Sequence, residues 1–432
     1  MWSDATIDIW LQQIPTTALA QSRKRALAEM SANAATPRVK RTKTSQSGDI
    51  AINEDAEEAY ELPTPRARHP LATAPPLRPP SSKPSTESGA SSQAQSASGV
   101  SAGSRRKRTP SPPKMLALRQ LDDYPVYTRA LPPFNQLPEL IRELAIDMRR
   151  IESGRGVISE GFEGWKQQLG SGIGEEDERI LDRSGERQRL GRDMSLEEVE
   201  FLQERAIWSQ DNNAAEPSWN CFVHSRALEW AQRLSPYRAT TFCEDITTAG
   251  VFWAESEDTQ RSSKRADFCL ALRMDRRIQK LLRDIGVPQV NHTSYSPLMF
   301  NPIAVSIETK AARGNESEAV LQLQTWATAQ IMFLRSMLSK TGHEGTPLPP
   351  LPLVIVQSHE WKVYYFVDRG DQAVIYHDSS PFGTTETILG IYKLHAGLQR
   401  LIMWSEEQYR TWIMDNVINP RLHASQAGPS EI

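Results

Sequence analysis

Two ionisable side chains, Glu308 and Lys310, stand two residues apart at the end of the segment Asn301–Lys310. The segment alternates Ile303, Val305 and Ile307 with Ala304, Ser306 and Glu308, which is the period of a β-strand. Successive strand side chains point to opposite faces, so Glu308 and Lys310 share one face. A carboxylate and an ammonium placed there can share a metal ion and a phosphate. The alternative is a solvated ion pair on an outer strand.

A second acid, Asp267, lies in another strand-like segment, Arg265–Met274, between the apolar residues Ala266 and Phe268. An acid buried there without a partner is costly. Two acids on adjacent strands provide oxygen ligands suited to Mg²⁺ or Mn²⁺. Such a metal lowers the pKa of bound water, and a neighbouring lysine can orient that water or stabilise the phosphorus centre. Asp267, Glu308 and Lys310 together predict hydrolysis of a phosphodiester.

These residues require a sheet and covering helices to hold them. Hydrophobic periodicity predicts further strands and a set of helices. The strands are Thr240–Thr247, Leu353–Gln357, Trp361–Asp368 and Ala373–Tyr376. The helices are Leu137–Ile151, a helix capped by Ser195 and reaching Trp208, Pro217–Leu234, Arg276–Ile285, Glu316–Leu338, Thr384–Trp404 and Glu406–Val417. We expect the glycine-rich, charged residues 152–192 to form a surface excursion.

Six local motifs together resemble the PD-(D/E)XK nuclease superfamily, and more closely its fungal nuclease-like domain proteins. The motifs are Glu216-Pro-Ser-Trp-Asn-Cys-Phe-Val-His224, Lys264-Arg-Ala-Asp-Phe268, Asn291-His-Thr-Ser-Tyr-Ser-Pro-Leu298, Pro302-Ile-Ala-Val-Ser-Ile-Glu-Thr-Lys310, Gln322-Leu-Gln-Thr-Trp326 and His359-Glu-Trp361. The resemblance covers about residues 115–420. It departs from the family pattern at Ala266, where the Pro-Asp motif has proline.

The resemblance implies an α/β restriction-endonuclease-like core, in which helices flank a central mixed sheet. By analogy Asp267 and Glu308 are metal ligands, Lys310 is the catalytic lysine, and Gln322 belongs to the Gln-x-x-x-Tyr helix, with Trp326 replacing tyrosine. A preceding helix often supplies another acid or a histidine. The candidates for that residue are Glu216, His224 and Glu229, of which we rank Glu216 first.

Several of these residues have ordinary structural alternatives. Gln322 can equally be a surface or packing glutamine, Trp326 a core residue, and His224 a packed, hydrogen-bonded histidine. For nucleic-acid contact we expect Lys264, Arg265 and Arg313, near which Arg273, Arg276 and Arg277 also cluster. The alternative is that these cations are ordinary charged connectors.

Composition points to a folded domain joined to a non-globular segment. Across 432 residues, hydrophobic residues make up 39% and prolines number 29. The net charge of −3 gives no global basic field, so a nucleic-acid surface must be local. Three cysteines without CxxC spacing predict reduced, mostly buried thiols. We find no membrane-spanning run and no secretory signal.

We expect residues 1–114 to be a disordered tail rich in Ser, Ala, Pro and Thr, 115–420 to form the nuclease-like domain, and 421–432 to be disordered. Three basic clusters in the tail suit a nuclear import receptor, which predicts a nuclear location, with the cytoplasm as runner-up. The clusters contain Arg23, Lys24 and Arg25; Lys40 and Arg41; and Arg105, Arg106, Lys107 and Arg108.

Two functions remain open at this point. The first is a Mg²⁺- or Mn²⁺-dependent nuclease acting on DNA, or less readily on RNA. The second is a catalytically inactive nuclease fold that serves as a nuclear DNA-binding or scaffolding module. The residues do not decide the substrate specificity, endo or exo cutting, or the oligomeric state.

Overall fold

The segments rich in Val, Ile and Tyr form one mixed sheet. The computed structural model describes residues 124–160, 175–251, 266–312 and 314–424. The sheet has eight strands in the order β1-β9-β8-β7-β6-β5-β4, and β10 pairs with β8. Two further strands, β2 and β3, pair separately in parallel. The strands are β1 Val126–Ala130, β2 Ile158–Ser159, β3 Leu181–Asp182, β4 Thr241–Asp245, β5 Phe268–Leu272, β6 Ile303–Lys310, β7 Leu351–Gln357, β8 Glu360–Asp368, β9 Ala373–His377 and β10 Gly383–Thr384.

Strand β6 is central and buried on both faces. All eight of its residues are buried, as are all five of β5. Strand β6 pairs antiparallel with β5 and parallel with β7. The pair Phe268–Ile307 lies at the end of the β5–β6 ladder, so one more step of the register sets Asp267 opposite Glu308. The two strands therefore bring both predicted acids to one end of the sheet.

Helices cover the sheet on both faces. They are α1 Glu139–Glu152, α2 Glu186–Leu190, α3 Leu196–Asp211, α4 Glu216–Trp219, α5 Ser225–Leu234, α6 Arg276–Asp284, α7 Glu316–Ser339, α8 Ile388–Trp404, α9 Arg410–Ile413 and α10 Asn419–Ala424. A π-helical turn, Asn220–His224, joins α4 to α5, and similar turns, Ser405–Tyr409 and Met414–Ile418, join α8 to α9 and α9 to α10. Ser195 caps α3 in a capping box with Glu198.

The loop before β6 is held by one asparagine. The side chain of Asn291 donates hydrogen bonds to the carbonyl oxygens of Leu298 and Asn301, the latter at 2.8 Å. Its Oδ1 accepts the backbone N–H of Ile303 at 3.0 Å. Asn291 thus fixes where β6 begins, which explains why the loop motif accompanies the Glu-Thr-Lys strand.

The expected mixed α/β fold with a central helix-flanked sheet is confirmed. The expected surface excursion is wrong for the described part of residues 152–192. Val157 and Ile158 are fully buried there, and Arg187 is 1% exposed. Strand β1 was not predicted, because its Tyr-Thr-Arg sequence is exposed and shows no apolar alternation. The predicted tail and the predicted C-terminal segment beyond residue 424 lie outside the described residues, and the domain boundaries remain predictions.

Two further expectations concern cysteines and membrane spans. Cys269 is buried, Cys243 is partly buried and Cys221 is exposed, and all three are free thiols. Among the residues that the structure describes, no helix combines the length and the apolar character needed to cross a bilayer.

Candidate active site

Four ionisable side chains from three segments of the chain meet at the end of β6. The ammonium of Lys310 donates hydrogen bonds to Glu308 Oε1 and, at 2.9 Å, to the carbonyl oxygen of Thr309. Its Nζ also lies 3.8 Å from Oε2 of Glu216, the first residue of α4. Asp267 lies one residue before β5. The structure therefore brings together Glu216, Asp267, Glu308 and Lys310.

Asp267 is held by the residue between Glu308 and Lys310. Its Oδ2 accepts hydrogen bonds from the backbone N–H of Thr309 at 2.9 Å and from the Thr309 hydroxyl at 2.7 Å. This role of Thr309 was not predicted from the sequence. The period-two rule gives neighbouring residues opposite faces, so it offers no signal for such a contact.

Glu308 is a buried acid with an incomplete set of partners. It is 1% exposed, and its Oε2 is buried without a hydrogen-bond partner. Burial and the nearby Asp267 charge raise the pKa of Glu308 to about 8, although the hydrogen bond from Lys310 opposes this rise. The alternative of a solvated ion pair on an outer strand is therefore wrong.

Burial and nearby charges also shift the pKa values of the groups around Glu308. Burial raises the pKa of Asp267 despite its two hydrogen bonds from Thr309. Burial also raises the pKa of Glu216, against the effect of the Lys310 charge. For Lys310, burial lowers the pKa, but the hydrogen bond and charge of Glu308 outweigh it, and the net shift is upward. Lys310 therefore stays an ammonium at neutral pH.

The donor set fits a divalent cation in part. Glu308 and Asp267 offer carboxylate oxygens, and Glu308 Oε2 has an unused acceptor. Hard cations such as Mg²⁺ take few protein ligands and retain several waters. Within the described residues, no group of three or more His, Cys, Asp or Glu side chains is arranged to hold a metal. Asp267 and Glu308 are thus the two carboxylates with the chemistry to hold a cation here, and Glu216 as a further ligand remains a prediction.

Helix α7 lies along the strand that carries Glu308. The indole N–H of Trp326 donates to Ser306 Oγ at 3.0 Å, and Gln330 Nε2 donates to the Ile303 carbonyl oxygen at 2.8 Å. The helix thus runs antiparallel to β6. Gln322 is one turn before Trp326, about 6 Å closer to the end of the strand that holds Glu308. Gln322 is half-buried, whereas Trp326 is fully buried, so the core role of Trp326 is the correct alternative.

His224 is a packed histidine and does not complete the charged cluster. It is fully buried, its Nε2 donates to the Ser358 carbonyl oxygen at 2.9 Å, and its Nδ1 lies 2.9 Å from Asn220 Oδ1. Burial lowers the pKa of His224 to about 4. The third candidate, Glu229, is exposed and pairs with Arg226 at 2.8 Å. Of the three candidates, Glu216 is the one that lies beside Lys310.

An open cleft of about 830 Å³ leads to this cluster. It runs between the α4–α5 helix and strands β4 and β5, with Glu216 and Asp267 in its wall. The predicted nucleic-acid contacts Lys264, Arg265 and Arg313 lie outside the described residues, as do all the basic clusters of the tail. Their roles remain predictions.

Comparison with known proteins gives one match. A sequence model of the PD-(D/E)XK nuclease superfamily matches residues 171–410, more than half of the chain. The chain belongs to that superfamily. The match identifies the superfamily and not its fungal branch, so the assignment to that branch from the motifs remains a prediction. Neither the curated proteins nor the solved structures with which we compared the chain gave a match.

Proposed function

We propose that this protein is a divalent-cation-dependent nuclease that hydrolyses phosphodiester bonds in DNA. The observation that carries the proposal is the buried, unpartnered Oε2 of Glu308, which lies in a cluster with Asp267 and Lys310 at the end of the central strand. A buried carboxylate oxygen without a partner is destabilising, and a ligand-binding site is one place where such an oxygen has a use.

Each residue has a role that follows from its surroundings. Asp267 and Glu308 would hold Mg²⁺ or Mn²⁺, which supplies a Lewis acid and activates water when bound. Lys310 acts as a fixed cation, because its raised pKa excludes a general-base role near neutral pH. It donates a hydrogen bond that can orient the attacking water and neutralises charge on the phosphoryl oxygens. Glu216, whose Oε2 lies 3.8 Å from the Lys310 Nζ, helps to position that ammonium together with Glu308.

The alternative is a nuclease fold without catalysis, acting as a DNA-binding or scaffolding module. One observation favours it, since Glu308 Oε1 is already engaged by the Lys310 ammonium. In this alternative the ion pair replaces the cation and only holds the strand end together. The two proposals differ in whether Lys310 is needed for cleavage.

A cleavage assay with the full-length chain tests the proposal. Labelled single- and double-stranded DNA and RNA are incubated with Mg²⁺, Mn²⁺ or chelator, using wild type, Lys310→Ala and the exposed-lysine control Lys340→Ala. We expect metal-dependent cleavage of DNA that falls by about 10²-fold or more in Lys310→Ala and stays unchanged in Lys340→Ala. Cleavage that survives in Lys310→Ala, or that is absent from wild type on every substrate, contradicts the proposal.

We also propose that the basic clusters of the tail direct the protein to the nucleus through an import receptor. The support is their composition alone, including Arg23-Lys24-Arg25 and Arg105-Arg106-Lys107-Arg108. A fluorescent fusion of residues 1–123 should concentrate in nuclei. A fusion with these clusters changed to glutamine should spread through the cell.

A further inference from the structure

Helix α6 is strongly basic for its length. Among its nine residues are Arg276, Arg277, Lys280 and Arg283, against a single acid, Asp284. All four basic side chains are exposed. The buried residues of the helix, Ile278, Leu281 and Leu282, lie on the other side. The helix is thus anchored by an apolar face and presents a cationic one to solvent.

The spacing gathers these cations into one stripe. Arg276, Lys280 and Arg283 recur at i, i+4 and i+7, which keeps them on one face of an α-helix. Arg277 lies at the edge of that face. From Arg276 to Arg283 the helix rises about 10 Å, comparable to about three phosphate steps along one strand of a duplex.

The acids near the stripe are already engaged. Asp275 caps the helix by accepting the Arg277 backbone N–H at 2.7 Å. Asp284 lies 3.5 Å from Lys280. The Arg283 guanidinium stacks 4.6 Å from the centre of the Phe300 ring, which holds its stem in place. The stripe therefore keeps a surplus of positive charge that the helix itself does not neutralise.

Arg273 connects this stripe to the cleft of the candidate active site. It is exposed, it stacks 4.9 Å from the centre of the Phe242 ring, and it lines the same cleft as Asp267 and Glu216. Strand β5 separates Asp267 from Arg273. Six residues of strand put the two about 20 Å apart, with the acids at one end of the cleft and Arg273 at the other.

The cleft wall between these ends cannot supply the attraction for a phosphate chain. It carries the acids Glu229 and Glu244, and a further acid, Asp245, lies opposite Phe268 at the Asp267 end. A phosphate backbone entering the cleft meets repulsion there, so its affinity must come from cations elsewhere on its path. Among the described residues lining the cleft, Arg273 is the one basic side chain, and α6 begins three residues after it in the chain.

We propose that Arg273 and the basic stripe of α6 are the surface that binds the sugar-phosphate backbone of the nucleic-acid substrate. The inference rests on the proposed function, because it assumes that the cleft is where the strand is cut. Binding here is electrostatic and independent of sequence, and it holds a flank of the substrate about 20 Å from the acids. The stripe also explains how a chain of net charge −3 binds a polyanion.

The test measures binding and not cleavage, so that it is independent of the active site. Full-length Lys310→Ala protein in chelator is titrated into labelled duplex DNA, single-stranded DNA and single-stranded RNA, each of about 20 nucleotides per strand, over a range of salt. The same background then carries Arg276→Gln, Lys280→Gln and Arg283→Gln together. The matched control carries Arg129→Gln, Arg150→Gln and Arg369→Gln, three exposed arginines outside α6.

We expect the α6 variant to bind duplex DNA more weakly and its salt slope to fall by about 2–3, because each phosphate that the stripe no longer neutralises lowers the slope by about 0.9. The control should change the slope by less than about 1. Equal slopes in the α6 variant and its background would overturn the inference. So would equal reductions in both triple variants, which would reflect net charge alone.

Two further arms separate other partners. Anionic lipid vesicles or a polyglutamate peptide that bind the α6 stripe more tightly than any nucleic acid would also overturn it. Failure of the proposed function looks different from all of these outcomes. It appears as normal, α6-dependent binding together with no cleavage by wild type in Mg²⁺ or Mn²⁺.

Discussion

Two buried ion pairs in this domain differ in how many further hydrogen bonds support them. Arg187, beside α8, pairs with Asp193 at 2.7 Å, and their side chains are 0% and 5% exposed. Lys310 pairs with Glu308 at the end of β6, and these side chains are 11% and 1% exposed. Burying either pair costs desolvation free energy, which further hydrogen bonds or a function of the site must explain.

The Arg187 pair is well supplied with further partners. Arg187 Nε donates to the Val157 carbonyl oxygen at 3.0 Å, and Nη1 donates to Gln399 Oε1 at 2.7 Å. Asp193 Oδ2 accepts the backbone N–H of Ser159 at 2.9 Å. Such a network ties α2, β2 and α8 together, and its two atoms without a hydrogen bond, Arg187 Nη2 and Asp193 Oδ1, lie 2.7 Å apart in the ion pair itself.

The Glu308 pair lacks such support. Glu308 Oε2 has no hydrogen-bond partner, and a second acid, Asp267, raises the pKa of Glu308 further. This second acid is unfavourable for Glu308, because it adds a like charge beside a buried carboxylate. The difference teaches that burial alone does not mark a functional pair. In the Glu308 pair the ammonium bonds Oε1 and leaves Oε2 without a hydrogen bond, and a like charge raises the pKa of the same acid, which together are a reason to expect a functional site.

The largest expected contrast is in the free energy of unfolding of two alanine variants. Arg187→Ala leaves Asp193 buried and unpaired, so we expect a decrease of about 3–5 kcal/mol. Lys310→Ala should cost about 1 kcal/mol, because Glu308 already has a raised pKa and can hold a proton once the ammonium is gone. Urea denaturation of both variants measures this. Equal decreases would show that the Glu308 pair is a structural pair like the other.

The next effect is a fall in stability between pH 6.5 and 8. Folded Glu308, with its pKa raised from the ordinary 4.5 to about 8, binds a proton that the unfolded chain has already released. Stability from this group therefore decreases as pH rises through that window, by about 1–2 kcal/mol. The buried histidines 224, 292, 359 and 395, whose pKa values burial lowers from 6.5, oppose this decrease near the lower edge of the window, so the Glu308 effect is read from the variant comparison below.

Glu308→Gln should remove this dependence, and the exposed control Glu229→Gln should retain it. The measurement is the unfolding free energy at pH 6.5, 7.2 and 8 in chelator. A Glu308→Gln protein with the wild-type slope would show that Glu308 is ionised in the folded state throughout the window.

The smallest effect is expected at Glu216. Its side chain is 36% exposed and lies 3.8 Å from Lys310 Nζ, so Glu216→Gln should change stability by less than about 0.5 kcal/mol. Cleavage should nevertheless fall, because the Lys310 ammonium loses the negative charge of the Glu216 carboxylate that helps to position it. Stability and cleavage are compared in one preparation. Unchanged cleavage would remove Glu216 from the site.

Sequence alone placed the elements of the site well. The helix predicted at Glu316–Leu338 is Glu316–Ser339, and the strand predicted at Pro302–Lys310 is Ile303–Lys310, because long runs of clear periodicity determine both. The proximity of Asp267 to Glu308 was expected from strands that the resemblance makes neighbours. Trp326 and His224 each kept two interpretations until their hydrogen bonds were known.

Other features of the molecule could not be predicted from hydrophobic periodicity. Thr309 holds Asp267 through a contact between strands, which depends on register and not on periodicity. Arg187 stands in a charged, glycine-containing segment that is typical of surface, and its burial depends on partners distant in sequence, such as the Val157 carbonyl oxygen and Gln399. The role of the basic stripe of α6 could not be predicted either, because it depends on Arg273 lining the cleft, which the structure shows and the sequence does not.

The most direct test of the central claim is a calorimetric titration of the full-length protein with Mn²⁺ at pH 6.5 and pH 8. We predict saturable binding that strengthens with pH, since Glu308 must lose its proton, and that weakens by about tenfold or more in Glu308→Gln but not in Glu229→Gln. Wild-type protein that binds no Mn²⁺ at either pH, or Glu308→Gln protein that binds it as tightly as wild type, would contradict the claim that the unpartnered Glu308 oxygen is there to hold a cation.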